Sequence, residues 1–257
     1  MIESLSSRER HKKIISLISR QGRLSVADIV AQFQVSQATA RRDLDSLTKQ
    51  GQVLRVRGGA LPVNPALPEP PILQREQEQS YEKQLIGQAA AALVRDGETI
   101  FLGSGSTVLE AARCLQSRQN LTVITNSLPV MNTLANAPGI TLVALGGILR
   151  PSELSFIGHI TEQALAEVRA DKVLIGVHAI SIEQGLTNDY LPETMTDRAI
   201  LKSGGEVILV ADHTKVNTVS TAFMTPLKSI QTLVTDSATP VEFIEHLRRS
   251  GIRVLIV

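Results

Sequence analysis

Gly103-Ser104-Gly105-Ser106-Thr107 is a run of small and hydroxyl-bearing residues set directly after an apolar strand pattern, TIFL, and directly before a helical one. Glycine lets the backbone approach a ligand closely, and a helix N-terminus offers unpaired amides at the positive end of its dipole. Ser104, Ser106 and Thr107 add hydroxyl donors, so the run suits an oxyanion, and a phosphate best of all. It is not a P-loop, because no lysine follows the last glycine, and its glycine spacing is not the dinucleotide-binding one. A tight strand-to-helix turn with a serine N-cap would use the same residues. Comparable turns leave other strand patterns: Thr125-Asn126-Ser127 after LTVI, Gly146-Gly147 after TLVAL, and Asp212-His213-Thr214-Lys215 after EVILVA. They offer one cleft an amide side chain (Asn126), bare backbone amides (Gly147), a carboxylate (Asp212) and an ammonium (Lys215). Each alone is also an ordinary cap or turn; their recurrence at successive strand ends favours the joint reading.

Residues 35–60, VSQATARRDLDSLTKQGQVLRVRGGA, carry a different chemistry, the reading of a nucleic-acid duplex. Ser36 is a natural N-cap for the amides that follow. Ala40, Leu44 and Leu47 then fall on one helix face, while Gln37, Thr39, Arg41, Arg42 and Lys49 lie elsewhere on its surface. The helix stops at Gly51, and VLRVRGG alternates Val53, Arg55 and Arg57 like a short ribbon with a glycine exit. A helix with polar and arginine residues in its first turns, followed by a basic ribbon, has the shape of a winged helix-turn-helix. Arginine pairs with guanine edges and glutamine with adenine, although two arginines on phosphates would give the same pattern. Asp43, which phosphates would repel, reads as an internal ion-pair partner, and Arg8, Arg10, Lys12 and Lys13 read as a solvated positive face.

The residues before this helix fit the same unit. Glu9 to Arg20 forms a helix ended by Gln21-Gly22, and Ser25 caps a second whose Ile29, Val30 and Phe33 pack inward. Phe33-Gln34-Val35-Ser36 is the turn. A three-helix domain for protein contacts is the bland alternative, and charge argues against it. Residues 1–60 hold eleven Lys/Arg against five Asp/Glu, whereas the whole chain is formally +1. Basic charge concentrated on one small unit suits phosphate-backbone binding.

Three segments are expected: residues 1–60 as the DNA reader, 61–73 as a tether and 74–257 as a larger body. The tether, PVNPALPEPPI, carries five prolines and reads as extended chain. In the body, short apolar runs at Thr99 to Leu102, Leu121 to Thr125, Thr141 to Leu145, Lys172 to Val177, Val207 to Val210, Thr232 to Val234 and Arg253 to Ile256 alternate with helical patterns. Such runs argue for a Rossmann-like parallel sheet covered on both faces, so the whole chain is α/β with a winged helix-turn-helix in front. Ligands bind beyond the carboxyl ends of such strands, where the four turns above lie. No apolar stretch reaches membrane-spanning length and no secretory signal opens the chain, which predicts a cytoplasmic protein. Cys114 reads as a small core residue. The histidines show no metal-ligand spacing, and neither a cofactor nor a catalytic set is expected.

GRLSVADIVAQFQVSQATARRDLDSL, Gly51 and the wing RVRGGA together resemble the DeoR family of bacterial transcription regulators. GSGST, VITNSLPV, GGILR, EQGLTND and VADHTK, in that order, extend the resemblance over nearly the whole chain. The resemblance implies a repressor of sugar-metabolism genes in which Gln37, Thr39, Arg41 and Arg42 face the major groove of operator DNA. It also implies a sensor body with the fold of ribose-5-phosphate isomerase. A phosphorylated sugar would place its phosphate on Ser104 to Thr107 and the rest on Asn126, Gly147, Asp212 and Lys215, with Arg150 and Arg198 secondary. Many relatives carry a lysine where this chain has Asp197. One winged helix covers one half-site, so a homo-oligomer, dimer or tetramer, is expected. The alternatives are a sugar-phosphate isomerase or deaminase with an accessory DNA-binding head, and a structural DNA-binding protein with an empty body. The turn IGVHAI, which lacks the isomerases' acidic motif, argues against the first.

Overall fold

The computed structural model describes residues 6–21, 23–56, 58–62, 64–65 and 69–257. Contacts divide the chain into two units, residues 1–65 and 66–257. The first contains α1 (Ser7–Gln21), β1 (Leu24–Ser25), α2 (Val26–Phe33), α3 (Gln37–Lys49), β2 (Val53–Val56), β3 (Gly59–Pro62) and the two-residue β4 (Asn64–Pro65).

Serine starts both later helices. Ser25 Oγ accepts from the Asp28 amide at 3.0 Å while Asp28 returns a carboxylate oxygen to the Ser25 amide at 2.8 Å. Two orphan amides are closed reciprocally. Ser36 Oγ accepts from the Thr39 amide at 3.1 Å, a cap worth about 1 kcal/mol. Gln34, at φ 52°, turns the chain between α2 and α3. Ala40, Leu44 and Leu47 are fully buried in one core with Ile14, Ile18 and Ile29, and each such Ile or Leu contributes about 1.5–3 kcal/mol. On the same helix, buried Asp43 accepts from Arg10 at 2.6 and 3.0 Å and sits 3.0 Å from His11 Nε2. That ion pair clamps α1 to α3. β2 and β3 form the antiparallel wing, with β1 on the outer side of β3.

The second unit opens with α4 (Ile72–Arg75) and α5 (Ser80–Ala91). It continues through β5 (Thr99–Leu102), α6 (Ser106–Leu115), β6 (Leu121–Thr125), α7 (Leu128–Leu134), β7 (Ile140–Ala144), β8 (Ile148–Arg150), β9 (Ser155–Ile157) and α8 (His159–Ala166). Then come β10 (Ala170–Ile175), β11 (Ala179–Ser181), β12 (Gly185–Asn188), α9 (Leu191–Ser203), β13 (Gly204–Val210), β14 (Thr218–Val219), β15 (Ala222–Thr225), β16 (Thr232–Thr235), α10 (Val241–Arg249) and β17 (Arg253–Ile256). Both ends of the stretch read as a tether lie in regular elements. Leu61 and Pro62 belong to the wing, and α4 takes Ile72 and Leu73. Pro71 sits at the N-cap of α4, where its missing N–H leaves nothing unpaired.

Seven strands form one parallel sheet in the order β17-β16-β13-β10-β5-β6-β7. Alternate residues feed two cores: Phe101, Val173, Ile175, Val207 and Leu209 on one face, Ile100, Leu102, Leu174, Ile208 and Val210 on the other. Both faces are therefore covered, as continuous apolar strands require. From β5 the chain steps outward through β6 and β7, then returns to the opposite flank of β5 through β10. The switch point lies between β5 and β10, and the crevice at their carboxyl ends is where such sheets bind ligands.

Two further features shape that crevice. Helix α5 carries the buried stripe Lys83, Ile86, Gly87 and Ala90, and at Gly87 it meets α6 so closely that a Cβ would lie 2.6 Å from Glu110 Cβ and 2.7 Å from the Ala111 nitrogen. The β8–β9 hairpin pairs Ile148 with Ile157 and Arg150 with Ser155. Cys114 departs from expectation: it is exposed on α6, because the buried face of that helix is taken by Val108, Ala111, Ala112 and Leu115.

Candidate functional site

At the switch point lies a small polar cleft of about 80 Å³, open to solvent on one side. Ser104, Gly105, Ser106 and Thr107 form its floor at the start of α6. Gly105 holds φ at 113°, a conformation side-chain-bearing residues rarely adopt, and no side chain caps the helix behind it. The first-turn amides of α6 therefore lack a side-chain cap. Gly103 lies beneath the floor, buried and bonded through its amide to Leu174 O at 2.9 Å.

Lys83, Arg75 and Lys215 bring positive charge to the cleft. Lys83 is buried, and its ammonium donates to the carbonyls of Arg75 at 2.5 Å and Glu78 at 2.6 Å. Burial pushes its pKa below the lysine range, Asp212 opposes this, and Lys215 and Arg75 add to it. Asp212 accepts from the Thr214 amide at 2.9 Å and caps the short turn His213–Lys215. It therefore also positions Lys215. Lys215 pairs with Glu69, and Arg75 lies 3.3 Å from Glu69 and is hydrogen-bonded to Glu153.

The opposite wall is acidic. Glu153 from the β8–β9 turn, and Glu193 and Asp197 from α9, are all buried and line the cleft. Burial drives the Asp197 carboxyl well above the usual range, and Glu193 and Glu153 add to it, although Asn188 Nδ2 donates to it at 2.6 Å. Glu193 is also raised, by burial, while Arg150 and Ser155 Oγ, at 2.8 Å, oppose. The turn after β10 contains no carboxylate, as read from IGVHAI, but other elements bring seven to the cleft lining, Glu153, Glu193 and Asp197 among them. His178 is buried in that turn, 3.7 Å from Glu69 and 3.8 Å from Asp189.

Three residues read as ligand contacts stand behind the cleft instead. Asn126 is buried and donates to Phe156 O at 3.0 Å. Gly147 packs against Thr161 and the Ile157 carbonyl. Arg150 pairs with Glu193, lies 3.3 Å from Asp189 and stacks over Tyr190 at 4.6 Å. All three hold the hairpin that delivers Glu153. Arg198 lies along β15, donating to Met224 O at 3.2 Å. Sequence reasoning passed over Glu69, Arg75, Lys83 and Glu153. Only Lys83 left a signal, a lysine inside an apolar helical stripe.

On the reading unit, Gln37, Arg41 and Arg42 are exposed, Thr39 is half-buried, and Ser36 serves as the cap. Arg55 is turned inward, donating to Gly59 O at 2.6 Å and to Asp45 at 3.2 Å. It stiffens the wing. Arg57 lies outside the described residues. Among those residues no acid, histidine or cysteine cluster could hold a metal, and no helix is long and apolar enough to cross a membrane.

A winged helix-turn-helix joined to a doubly wound body, with a polar cleft at its switch point, defines a DNA-binding regulator with a sensory domain. The chain belongs to the DeoR family of transcriptional regulators: the family's DeoR-like helix-turn-helix domain matches residues 10–65 and its C-terminal sensor domain residues 78–237. It is 32% identical to the glycerol-3-phosphate regulon repressor of Escherichia coli K12, over 93% of this chain and 94% of that one. It is 33% identical to the HTH-type transcriptional repressor GlcR of Bacillus subtilis, over 96% and 95% respectively. A ribose 5-phosphate isomerase from Plasmodium falciparum aligns with 53% of this chain and 52% of its own at 18% identity and a TM-score of 0.39. The doubly wound topology stands on this chain's own strand order.

Proposed function

We propose that this protein represses sugar-metabolism genes in the bacterial cytoplasm and leaves its operator when a phosphorylated sugar enters the cleft. The observation that carries this reading is the uncapped first turn of α6, facing Lys83, Arg75 and Lys215 across the switch point. Amides, hydroxyls and cations converge there, as a phosphate requires. The acidic wall then meets the sugar hydroxyls, with Asp197 and Glu193 as hydrogen-bond partners. Gln37, Thr39, Arg41 and Arg42 face the duplex, and the protein works as a dimer or tetramer so that two readers engage one operator. Effector binding shifts the equilibrium only by its differential affinity for the bound and released states.

The test is a panel of sugar phosphates and their unphosphorylated parents, assayed for release of the protein from DNA upstream of its own gene at fixed salt. Release by at least one phosphate ester and by none of the free sugars is expected. Sedimentation of the protein alone would exclude the oligomer if it ran as a monomer at operator-saturating concentrations. A second reading, sugar-phosphate turnover, is favoured by one observation: burial holds the Glu153 carboxyl at about 7, where an acid–base group works best. Isomerase and deaminase assays on the same panel separate the two, and no turnover is expected.

A further inference from the structure

We propose that Glu69 is a resident anion of the phosphate seat, and that an effector phosphate must displace it, which makes double negative charge the requirement for response. The proposal rests on the phosphate reading of the cleft and concerns its regulation and selectivity.

Glu69 lines the cleft together with the cradle and the cations. Both of its carboxylate oxygens are engaged: one with Lys215, the other 3.3 Å from Arg75 and 3.7 Å from His178 Nδ1. Burial pushes this carboxyl up, but Arg75 and then Lys215 outweigh it and hold the group below the ordinary glutamate range. It is therefore an ionised internal ligand. Of the three cations at the cleft, Lys83 is spent on two carbonyls, and Lys215 and Arg75 are spent on Glu69 and Glu153. Among the described residues no lysine or arginine at the cleft waits unpaired for an incoming anion, so binding there is an exchange.

Charge decides the exchange. A phosphate monoester carries about −1.5 to −2 at neutral pH and three strong acceptor oxygens, enough to take Lys215 and the α6 amides at once. A carboxylate on the effector offers no more charge than the one it would replace, and a neutral sugar offers none. The seat selects phosphorylated ligands against sugar acids of similar shape.

The displaced residue is placed to transmit the event. Glu69 lies four residues after Pro65, where the first unit ends. It is followed by Pro70 and Pro71, whose fixed φ makes a stiff strip. That strip is held by the same groups: Arg75 Nε donates to Pro70 O at 2.9 Å, and the Ile72 amide to Ser152 O at 2.8 Å. Losing Glu69 from Lys215 and Arg75 loosens the strip from the body. Reciprocity requires that whatever holds Glu69 in its seat weakens effector binding by the same factor.

Inorganic phosphate is the probe, titrated calorimetrically into the full-length protein at fixed pH and ionic strength. Glu69→Gln should bind phosphate about tenfold more tightly than wild type, and Glu69→Asp should fall between them. Wild-type binding with no gain in a folded Glu69→Gln overturns the displacement and leaves the phosphate reading standing. Absence of phosphate binding in both proteins overturns the two together. Because the Gln variant leaves Lys215 short of a partner and could unfold, hydrogen exchange on wild type supplies an independent check. Saturating phosphate should speed exchange of the Ile72 amide severalfold. Unchanged or slower exchange there overturns the proposal.

Discussion

Replacing Glu153 by glutamine should remove a pH dependence that the acidic wall builds into the body. Burial raises the Glu153 carboxyl from the ordinary 4.5 to about 7; Arg75 opposes the rise, and Glu193 and Glu69 add to it. The folded protein thus holds a proton that the unfolded chain has already lost, so the folded state binds more protons across that interval and its stability falls as pH rises. The contribution is fully present below about pH 4.5, drains away up to about pH 7 and is flat beyond. At 1.36 kcal/mol per pH unit the complete loss is about 3 kcal/mol, and the part between about pH 5 and 8 is about 2–3 kcal/mol. The assay is urea unfolding of wild type and Glu153→Gln, followed by far-ultraviolet circular dichroism at several pH values. Carboxylates outside the acidic wall titrate alike in both proteins, so the stability difference between them reports Glu153 together with Glu193, Glu69 and Asp197, whose charges act on one another. Wild type should lose about 2–3 kcal/mol relative to the variant over that range. A difference that does not move with pH would refute the reasoning.

The reading helix makes its own prediction. Arg41→Ala and Arg42→Ala should each weaken operator binding, by about 1–3 kcal/mol if the lost contact is to a guanine edge, while phosphate binding stays unchanged; fluorescence anisotropy at fixed salt decides, and full DNA affinity in both variants would contradict the assignment. Gly105→Val should keep DNA binding and lose the phosphate response, because φ 113° strains any side chain there and the added group projects into open space at the cradle. A normal response in that variant removes the cradle. Asp43→Ala leaves half-buried Arg10 without its carboxylate and should cost the reading unit about 1–3 kcal/mol, visible as a lower melting transition for that unit; an unshifted transition would show that the clamp is dispensable.

What could be read without coordinates was the part that short-range physics decides. The reader's serines, its Phe33–Ser36 turn and the Ala40-Leu44-Leu47 face act within a few residues of one another, so the helices were legible, though not the left-handed backbone at Gln34. The seven sheet strands were legible because each is a short apolar run between turn signals. The β11–β12–β15 sheet escaped because its buried strands carry Ser181, Thr187 and Asn188, polar residues that hide the pattern. Asn126 and Gly147 sat at the expected strand ends, but the hairpin β8–β9 covers them, and hairpin placement is a long-range matter. Glu69 was the hardest case. A glutamate between prolines looks solvated, and its burial follows from Lys215, a partner 146 residues away. Asp43, by contrast, was legible as an ion-pair partner from repulsion alone.

The approach of α5 to α6 at Gly87 works as a spacer gauge. Gly87 stands one turn beyond Lys83, and Glu110 one turn beyond Ser106, so the width of the cleft at its positive edge is set where two backbones touch, outside the binding surface. A single methyl at Gly87 would wedge the helices apart and widen that edge without altering any lining side chain. The width of that edge is thus fixed from a position outside the cleft lining.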